Sequence, residues 1–305
     1  IDRLNNLENE DKNMKWKTNI TEMIGCEYPI ILGAFAGFDN TQLTASISKA
    51  GGFGVLTGSY FKKEEKLRNA IKEIKIITNN PFGINLSPNN PPDFRIDLYQ
   101  LFGKQFEIAR EEKIKTIITV GPKVEIIGKK IKDYGMNWIH KATTMRHAVY
   151  GEKNGADAVI LTGLEGAGFK NPKQNTLLVN IVNAHRMLKV PIIASGGISN
   201  GRGLLGALVM GAQAVHMCTA FLATAESPVT DSWKQKIIDA DCFDPEMIKE
   251  MLHFESEMMK GTSFSLAAGT INKIITVKDL IRNIIEEAEA ILKSLGFQRD
   301  IINFK

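Results

Sequence analysis

One pattern repeats along the sequence between Tyr28 and Ala220: a short apolar run, a glycine-rich or polar turn, and a segment with helical periodicity. The apolar runs are nearly continuous rather than alternating, as expected of strands that are buried on both faces of a parallel sheet. We count eight of them: Pro29–Ala34, Gly54–Thr57, Phe82–Leu86, Thr116–Val120, Trp138–Lys141, Ala158–Thr162, Pro191–Ala194 and Ala214–Cys218.

Eight parallel strands joined by helical crossovers form either a closed barrel or an open doubly wound sheet. The count of eight favours the barrel. An open sheet usually carries a dinucleotide-binding fingerprint after its first strand, whereas the first run here ends in Gly33-Ala34-Phe35-Ala36-Gly37, which is not GxGxxG. The sequence therefore predicts an α/β fold, built as a (β/α)8 TIM barrel with a C-terminal helical extension.

The two ends of the chain are expected to lie outside the repeat. We predict an N-terminal tail over residues 1–19, the barrel over 20–240, and a helical extension over 241–305 that packs on the barrel. Helical periodicity in the last part of the chain predicts three helices, of which the first would be the eighth barrel helix: Asp231–Ala240, Pro245–Lys260 and Val277–Leu295. The stretch Thr262–Gly269, rich in Ser, Ala and Gly, predicts a loop.

Composition limits the partners and the compartment. The 305 residues carry 38 basic and 34 acidic side chains, and this net charge of +4 is too small and dispersed to favour a nucleic-acid partner. The three cysteines, Cys26, Cys218 and Cys242, are far apart and form no CxxC pair, which indicates a reducing, cytoplasmic location. No apolar stretch approaches the length of a membrane span. We therefore expect a small-molecule partner, and a homodimer is compatible with the sequence.

The segments after the seventh and eighth runs predict an anion site. Ser195, Gly196 and Gly197 follow the seventh run, and Cys218 and Thr219 end the eighth. Glycines let backbone amides approach an anion closely, and barrels often bind phosphate with these two loops. A tight turn that merely requires glycine is the alternative.

Other polar or glycine-rich positions come at the ends of further strands. Lys141 ends the fifth run, where it could hold an anionic ring or phosphate, form a Schiff base, or simply extend to water. The Gly163–Phe169 loop suits a flat ligand, although a plain flexible loop is the alternative. Asn85 and Ser87 after the third run, together with Gly33 to Phe35 after the first, are compatible with hydrogen bonds and stacking against the same ligand.

The five histidines carry less information. His185 shares a predicted helical face with Leu177, Leu178, Ile181 and Val182 and is expected in the core. His140 precedes Lys141, and strand alternation turns it to the opposite face. His147 is expected within the following helix, His216 within the eighth strand and His253 at the surface or as a cap. No pair has metal-ligand spacing such as HExxH, so we predict no catalytic metal.

Taken together, these segments resemble the nitronate monooxygenase (2-nitropropane dioxygenase) family of FMN barrels. That family also includes NAD(P)H:quinone reductases and the flavin-type enoyl-acyl-carrier-protein reductase. The resemblance runs from Ile20 to Ile291, and its most specific pieces are Ala50-Gly51-Gly52-Phe53-Gly54, Pro81-Phe82-Gly83-Ile84-Asn85, His140-Lys141-Ala142-Thr143 with Arg146-His147-Ala148, and Pro191–Gly203. The third piece is most similar to the NADH:quinone reductase branch.

The resemblance implies an FMN site. Gly33, Ala34 and Phe35 would lie beside the flavin ring, and Asn85 and Ser87 would face its edge. Lys141 would sit near the electron-rich side of the ring, where a cation stabilises reduced flavin. Thr162 and Gly168 belong to the same set, and the phosphate would be held by Ser195, Gly196, Gly197, Cys218 and Thr219.

Three positions depart from the family pattern. Phe169 stands where the family usually has a histidine that acts on the substrate, and phenylalanine cannot exchange a proton, so no catalytic residue is assigned. Thr162 stands where the close branch has an aspartate. Cys218 stands where the family usually has glycine. These departures bear on the substrate and leave the phosphate loops in place.

The resemblance implies an FMN-dependent oxidoreductase that passes electrons from NADH or NADPH to a small acceptor. The acceptor would be a quinone or an activated alkene such as an enoyl thioester, because hydride transfer at flavin N5 needs no histidine. Two alternatives stay open at this point: a nitronate monooxygenase that oxidises alkyl nitronates with O2, and a flavin-binding protein without turnover.

Overall fold

The computed structural model describes residues 14–35, 37–88, 95–169, 175–252, 261–262, 264–297 and 301–304. The strands are β1 (Lys15–Lys17), β2 (Ile30–Leu32), β3 (Gly54–Thr57), β4 (Phe82–Leu86), β5 (Thr116–Val120), β6 (Asn137–Ala142), β7 (Ala158–Thr162), β8 (Gly168–Phe169), β9 (Ile192–Ser195), β10 (Ala214–Met217), β11 (Gly261–Thr262) and β12 (Ile301–Asn303). The helices are α1 (Asn19–Ile24), α2 (Thr41–Lys49), α3 (Glu64–Ile77), α4 (Leu98–Glu111), α5 (Glu125–Asp133), α6 (Met145–Lys153), α7 (Leu177–Met187), α8 (Gly201–Val209), α9 (Thr219–Leu222), α10 (Asp231–Ile238), α11 (Pro245–Leu252) and α12 (Val277–Ser294), with 3₁₀ turns at Gly58–Tyr60 and Leu266–Thr270.

Eight parallel strands form the barrel in the order β2-β10-β9-β7-β6-β5-β4-β3. A parallel bridge between Ile31 and Phe53 joins the two ends of this sheet. The strands are apolar throughout because both faces are covered, and every residue of β4 and β7 is buried. The predicted TIM barrel is confirmed. Four predicted strands have the observed bounds, and the other four differ by one or two residues at one or both ends.

The eighth helix of the barrel differs from the prediction. Helix α12 packs between α8 and α2, which is the position that the eighth helix occupies, whereas α10 packs on the 3₁₀ turn Leu266–Thr270. The buried face of α12 includes Val277, Ile281, Ile284 and Ala288, at the spacing of an amphipathic helix. The eight-residue α10 has no apolar stripe of this length. The prediction that Asp231–Ala240 forms the eighth barrel helix was therefore wrong.

The predicted N-terminal tail was wrong for residues 14–19. Strand β1 pairs in parallel with β12, so the two ends of the described chain lie together. The Trp16 side chain is buried, and its Nε1 donates to Oε1 of Glu289 over 3.3 Å, as does the Met14 backbone amide over 3.0 Å. The strand was missed because only one of its three residues, Trp16, is apolar. Residues 1–13 lie outside the described chain.

Two further expectations need correction. On α7 the buried residues are Leu177, Asn180, Ile181 and Ala184, while His185 is exposed, because the apolar face lies one position round the helix from the predicted one. The predicted loop Thr262–Gly269 contains part of β11, which pairs antiparallel with β8, and most of a 3₁₀ turn. Helix α11 is described to Leu252, so the rest of the predicted helix to Lys260, including His253, lies outside the described residues.

Among the described residues, no helix combines the length and apolar character needed to cross a bilayer.

Candidate active site

A cavity of 480 Å³ opens at the carboxyl ends of the barrel strands. This size is typical of small-molecule and cofactor sites. It is lined by twelve of the thirteen residues predicted from the sequence to hold the cofactor: Ala34, Phe35, Asn85, Ser87, Lys141, Thr162, Gly168, Ser195, Gly196, Gly197, Cys218 and Thr219. The barrel therefore brings together residues from six strand ends and their loops.

Gly33 lies behind the cavity wall rather than in it. Its amide donates to the Met217 carbonyl over 2.6 Å, which extends the pairing of β2 with β10. A Cβ at this position would lie 2.8 Å from the Cβ of Cys218. Glycine is therefore needed for the ends of these two strands to approach each other, and Cys218 rather than Gly33 faces the cavity.

The loop after β9 offers unused hydrogen-bond donors to the cavity. Gly196 and Gly197 both have positive φ angles, of 111° and 70°. Among the described residues, neither of their amides donates to another protein group. A Cβ on Gly196 would come within 2.8 Å of the Gly166 amide nitrogen, so the loop after β7 packs directly on this turn. Adjacent free amides of this kind suit an anionic oxygen group such as a phosphate.

Two side-chain contacts fix the walls of this turn. Ser195 Oγ lies 3.0 Å from Nδ1 of the buried His216, and Thr219 Oγ1 accepts from the Ser265 amide over 2.9 Å. Ser265 comes from the segment between β11 and the last 3₁₀ turn, and it lines the cavity. Sequence reasoning missed it, because a serine in a Ser-, Ala- and Gly-rich stretch carries no signal of its own.

Lys141 is the cation of the cavity. It lies near the end of β6, partly buried, and burial lowers the pKa of its ammonium group, an effect that Cys218 partly offsets. Among the described residues it forms no ion pair with a carboxylate. An ammonium group in such a wall is suited to an anionic ligand, because a buried charge without a partner is costly.

The neighbours of Lys141 are held uncharged. Burial raises the pKa of the Cys218 thiol to about 12, although Lys141 opposes this, so Cys218 remains a thiol. Burial, and next the charge of Lys141, keep the pKa of His216 well below its usual range, so its imidazole is neutral. Of these three described side chains, Lys141 is therefore the one that carries positive charge.

His140 contributes to the cavity lining, but its ring points towards α6, on the opposite face of β6 from Lys141, as strand alternation predicted. Its ring packs edge-on against Trp138 and Tyr150, and its Nδ1 lies 3.1 Å from the Thr119 hydroxyl. A Cβ on Gly151 of α6 would meet this ring at 2.6 Å. Burial lowers the pKa of His140 to about 4, with a smaller contribution from His147. His140 is thus part of the packing between the barrel and α6.

One side of the cavity is an aromatic wall, by which we mean Phe35, Phe38 and Trp233. The ring centroids of Phe35 and Phe38 are 6.0 Å apart, and those of Phe38 and Trp233 are 5.5 Å apart. Leu222 and Val229 add apolar surface to the lining. Sequence reasoning missed Trp233 because α10 was assigned to the helix layer, where its side chain would lie far from the cavity.

His147 is a further lining residue that the sequence did not single out as functional. It lies in the first turn of α6, just after Lys141 along the chain, and its Nδ1 is 3.4 Å from the Thr143 hydroxyl. Phe169 lies in β8, where it pairs with Gly261. Among the described residues, no group of His, Cys, Asp and Glu side chains is arranged to hold a metal ion.

Comparisons with known proteins show the family of this chain. The chain matches the family model described as nitronate monooxygenase over residues 17–253. A probable nitronate monooxygenase of Staphylococcus aureus is 30% identical over 294 residues, covering 85% of this chain and 79% of that protein. A relative from Mycobacterium tuberculosis is 33% identical over 229 residues, which cover 74% of this chain and 61% of that protein. Its name is (3aS,4S,5R,7aS)-5-hydroxy-7a-methyl-1-oxo-octahydro-1H-indene-4-carboxyl-CoA dehydrogenase. The solved structure of FabK from Thermotoga maritima superposes with a TM-score of 0.76 at 27% identity, covering 92% of this chain and 98% of FabK.

Proposed function

We propose, from the premise that this chain belongs to the nitronate monooxygenase family of flavin-dependent oxidoreductases, that it binds FMN and passes electrons from NADH or NADPH to a small acceptor. The observation that carries the proposal is the pair of free amides at Gly196 and Gly197 in the wall of a cavity that also holds Lys141. Free amides suit the phosphate of FMN, and an ammonium group suits the electron-rich side of a flavin ring.

The residues of the cavity would hold FMN along one wall. The turn at Gly196 and Gly197 would bind the phosphate, with Ser195 and Thr219 fixed beside it by their contacts to His216 and Ser265. Asn85, which is buried near the end of β4, would hydrogen-bond to the ring edge. Bound FMN would supply hydride transfer, and the protein supplies position, charge and exclusion of water.

The aromatic wall supports an apolar or planar acceptor. Phe38 and Trp233 lie beside Leu222 and Val229, so this side of the cavity offers surface rather than hydrogen bonds. A quinone ring or the carbon chain of an enoyl thioester would bury apolar area against it. The name of the Mycobacterium tuberculosis relative specifies a coenzyme A ester, which is consistent with a thioester acceptor.

The test is anaerobic reduction followed by an acceptor screen. Purified protein loaded with FMN is mixed with NADH or NADPH in the absence of oxygen, and the visible flavin band is followed. We expect the band to bleach with at least one donor and to return when menadione or crotonyl-CoA is added. A band that stays unchanged with both donors would contradict the reductase proposal.

A nitronate monooxygenase is the second candidate, and Lys141 is the observation that favours it. An alkyl nitronate is an anion that has already lost its proton, so it needs a cation to bind and no base. The Staphylococcus aureus relative carries this name. Rapid oxygen uptake with propionate 3-nitronate, without any NAD(P)H, would favour this function over the first.

A further inference from the structure

Reduction of an alkene or a quinone consumes a proton as well as a hydride. We propose that His147 is the catalytic residue that donates this proton to the acceptor, an inference that rests on the proposed reductase function. The acceptor alkene takes up a hydride that originates from NAD(P)H on one carbon and a proton from Nε2 of His147 on the other. NAD(P)⁺ leaves, and the imidazole regains its proton from water. With a quinone, the proton goes to an oxygen.

Few ionisable groups line the cavity, so there are few other candidates for the proton donor. Among the residues that the structure describes, they are Lys141, His140, His147, His216 and Cys218. His216 is buried with Nδ1 bonded to Ser195, and the ring of His140 packs on Tyr150 and Gly151. Cys218 is a partly buried thiol whose pKa burial raises to about 12, and Lys141 is placed to hold an anion. His147 is the imidazole of this set that is both partly exposed and free at one nitrogen.

The position of His147 suits proton exchange. Thr144 caps α6 by accepting from the His147 amide over 3.3 Å, and this fixes the first turn of the helix. Thr143 lies 3.4 Å from Nδ1, so the ring is oriented from one side. Among the described residues, Nε2 has no hydrogen-bond partner. The ring is partly exposed, which gives it access to water for reprotonation.

The surroundings of His147 lower its pKa, so the protonated ring gives up its proton readily and is neutral afterwards. Burial, and next the charge of Arg146, lower the pKa of His147 below its usual value, and the positive end of α6 acts in the same sense. The other ionisable neighbours in the cavity are His140 and Lys141 of β6. The lining residues after β4 and β5, which are Ser87, Pro88, Gly121 and Pro122, have no ionisable side chain.

The test measures reduction by NAD(P)H and reoxidation by the acceptor separately in His147→Gln. Glutamine keeps a hydrogen-bonding group near Thr143 but cannot donate an acidic proton. We expect unchanged flavin content, anaerobic reduction by NAD(P)H within about twofold of the wild type, and reoxidation by crotonyl-CoA or menadione slowed by about 100-fold. His185→Gln is the matched control, because His185 is exposed on α7 and lies outside the cavity lining, so both half-reactions are expected to be unchanged.

Three readouts distinguish proton donation from a structural role. Reoxidation of the wild type is expected to slow as pH rises through the pKa of His147, whereas His147→Gln shows no such limb. In protein labelled at histidine, an imidazole NMR signal absent from His147→Gln should titrate below the ordinary histidine pKa, with or without flavin. Added imidazole should restore reoxidation in His147→Ala.

Each half-reaction answers a different question. If the wild type is not reduced by NAD(P)H, the proposed function fails, whatever His147 does. If the wild type is reduced and His147→Gln is reoxidised at the wild-type rate with the same pH profile, the inference about His147 is wrong. Equal slowing of both halves, or failure of imidazole to rescue His147→Ala, would make His147 a structural residue and also overturn the inference.

Discussion

Ser195 and His216 share a buried hydrogen bond, with 3.0 Å between Oγ of the serine and Nδ1 of the histidine. The bond joins the ends of β9 and β10, the two strands that lead into the predicted phosphate turn and its neighbouring loop. Because the ring is buried and lies near the charge of Lys141, the pKa of His216 lies well below its usual value, and the imidazole is neutral. Protonation of His216 would therefore disturb both the wall of the site and the stability of the fold.

Stability is therefore expected to fall as the pH is lowered. In the unfolded chain, histidines bind a proton below about pH 6.5, whereas folded His140 does so only near pH 4 and folded His216 is also depressed. The unfolded state thus binds more protons in this window, and His140 alone removes about 2 kcal/mol of unfolding free energy by pH 5. Denaturant unfolding at pH 7 and pH 5 measures the effect.

The matched variants are His140→Gln and His185→Gln, the second being exposed on α7. His140→Gln should reduce the dependence of stability on pH, and His185→Gln should leave it as in the wild type. A wild-type free energy of unfolding that is the same at both pH values would contradict the neutral state of the buried histidines.

Alanine at Gly196 tests the turn after β9. Gly196 has a φ of 111°, and a Cβ there would come within 2.8 Å of the Gly166 amide nitrogen. We expect Gly196→Ala to destabilise the protein by about 1–3 kcal/mol and to weaken FMN retention. Calorimetry and flavin content measure the two effects.

Gly206→Ala is the control for this substitution. A Cβ at Gly206 meets nothing within 4 Å, and the residue is exposed within α8. Helix propensity predicts a gain of about 0.5–1 kcal/mol with no change in flavin content. If the two variants behaved alike, the close approach of Gly196 to Gly166 would have no role in the site.

Removal of the Lys141 charge tests its assignment as the cation of the cavity. We expect Lys141→Ala to weaken FMN binding by about 10- to 100-fold, or to slow reduction by a similar factor, because a hydrogen bond to a charged group is lost. Lys129→Ala is the control, since the side chain of Lys129 is 76% exposed and pairs with Asp133. Wild-type flavin content together with a wild-type reduction rate in Lys141→Ala would remove Lys141 from the site.

The aromatic wall is expected to bind the acceptor and to have no effect on reduction by NAD(P)H. Trp233→Ala removes the ring that packs 5.5 Å from Phe38 and should raise the KM for an apolar acceptor by about tenfold. Reduction by NAD(P)H should be unchanged, and Trp233→Phe should recover most of the loss. An effect confined to reduction by NAD(P)H would place Trp233 on the donor side instead.

The sequence was a good guide to the strands and to the strand-end residues, and a poor guide to what covers them. Strands such as β7 are buried on both faces, so their apolar runs are local and easily read. Helices α10 and α12 both have amphipathic periodicity, and only packing against α8 and α2 decides which one completes the barrel. Trp233 and Ser265 reach the cavity because of that tertiary choice, and so no local pattern marks them.

If the amides of Gly196 and Gly197 form a phosphate site, the protein should distinguish FMN from riboflavin, which lacks the phosphate. Protein freed of flavin is titrated with each ligand, and quenching of flavin fluorescence gives the two Kd values. We expect FMN to bind at least about 100-fold more tightly than riboflavin, because riboflavin cannot form the charge-assisted hydrogen bonds of the phosphate. Equal affinity for FMN and riboflavin would contradict it.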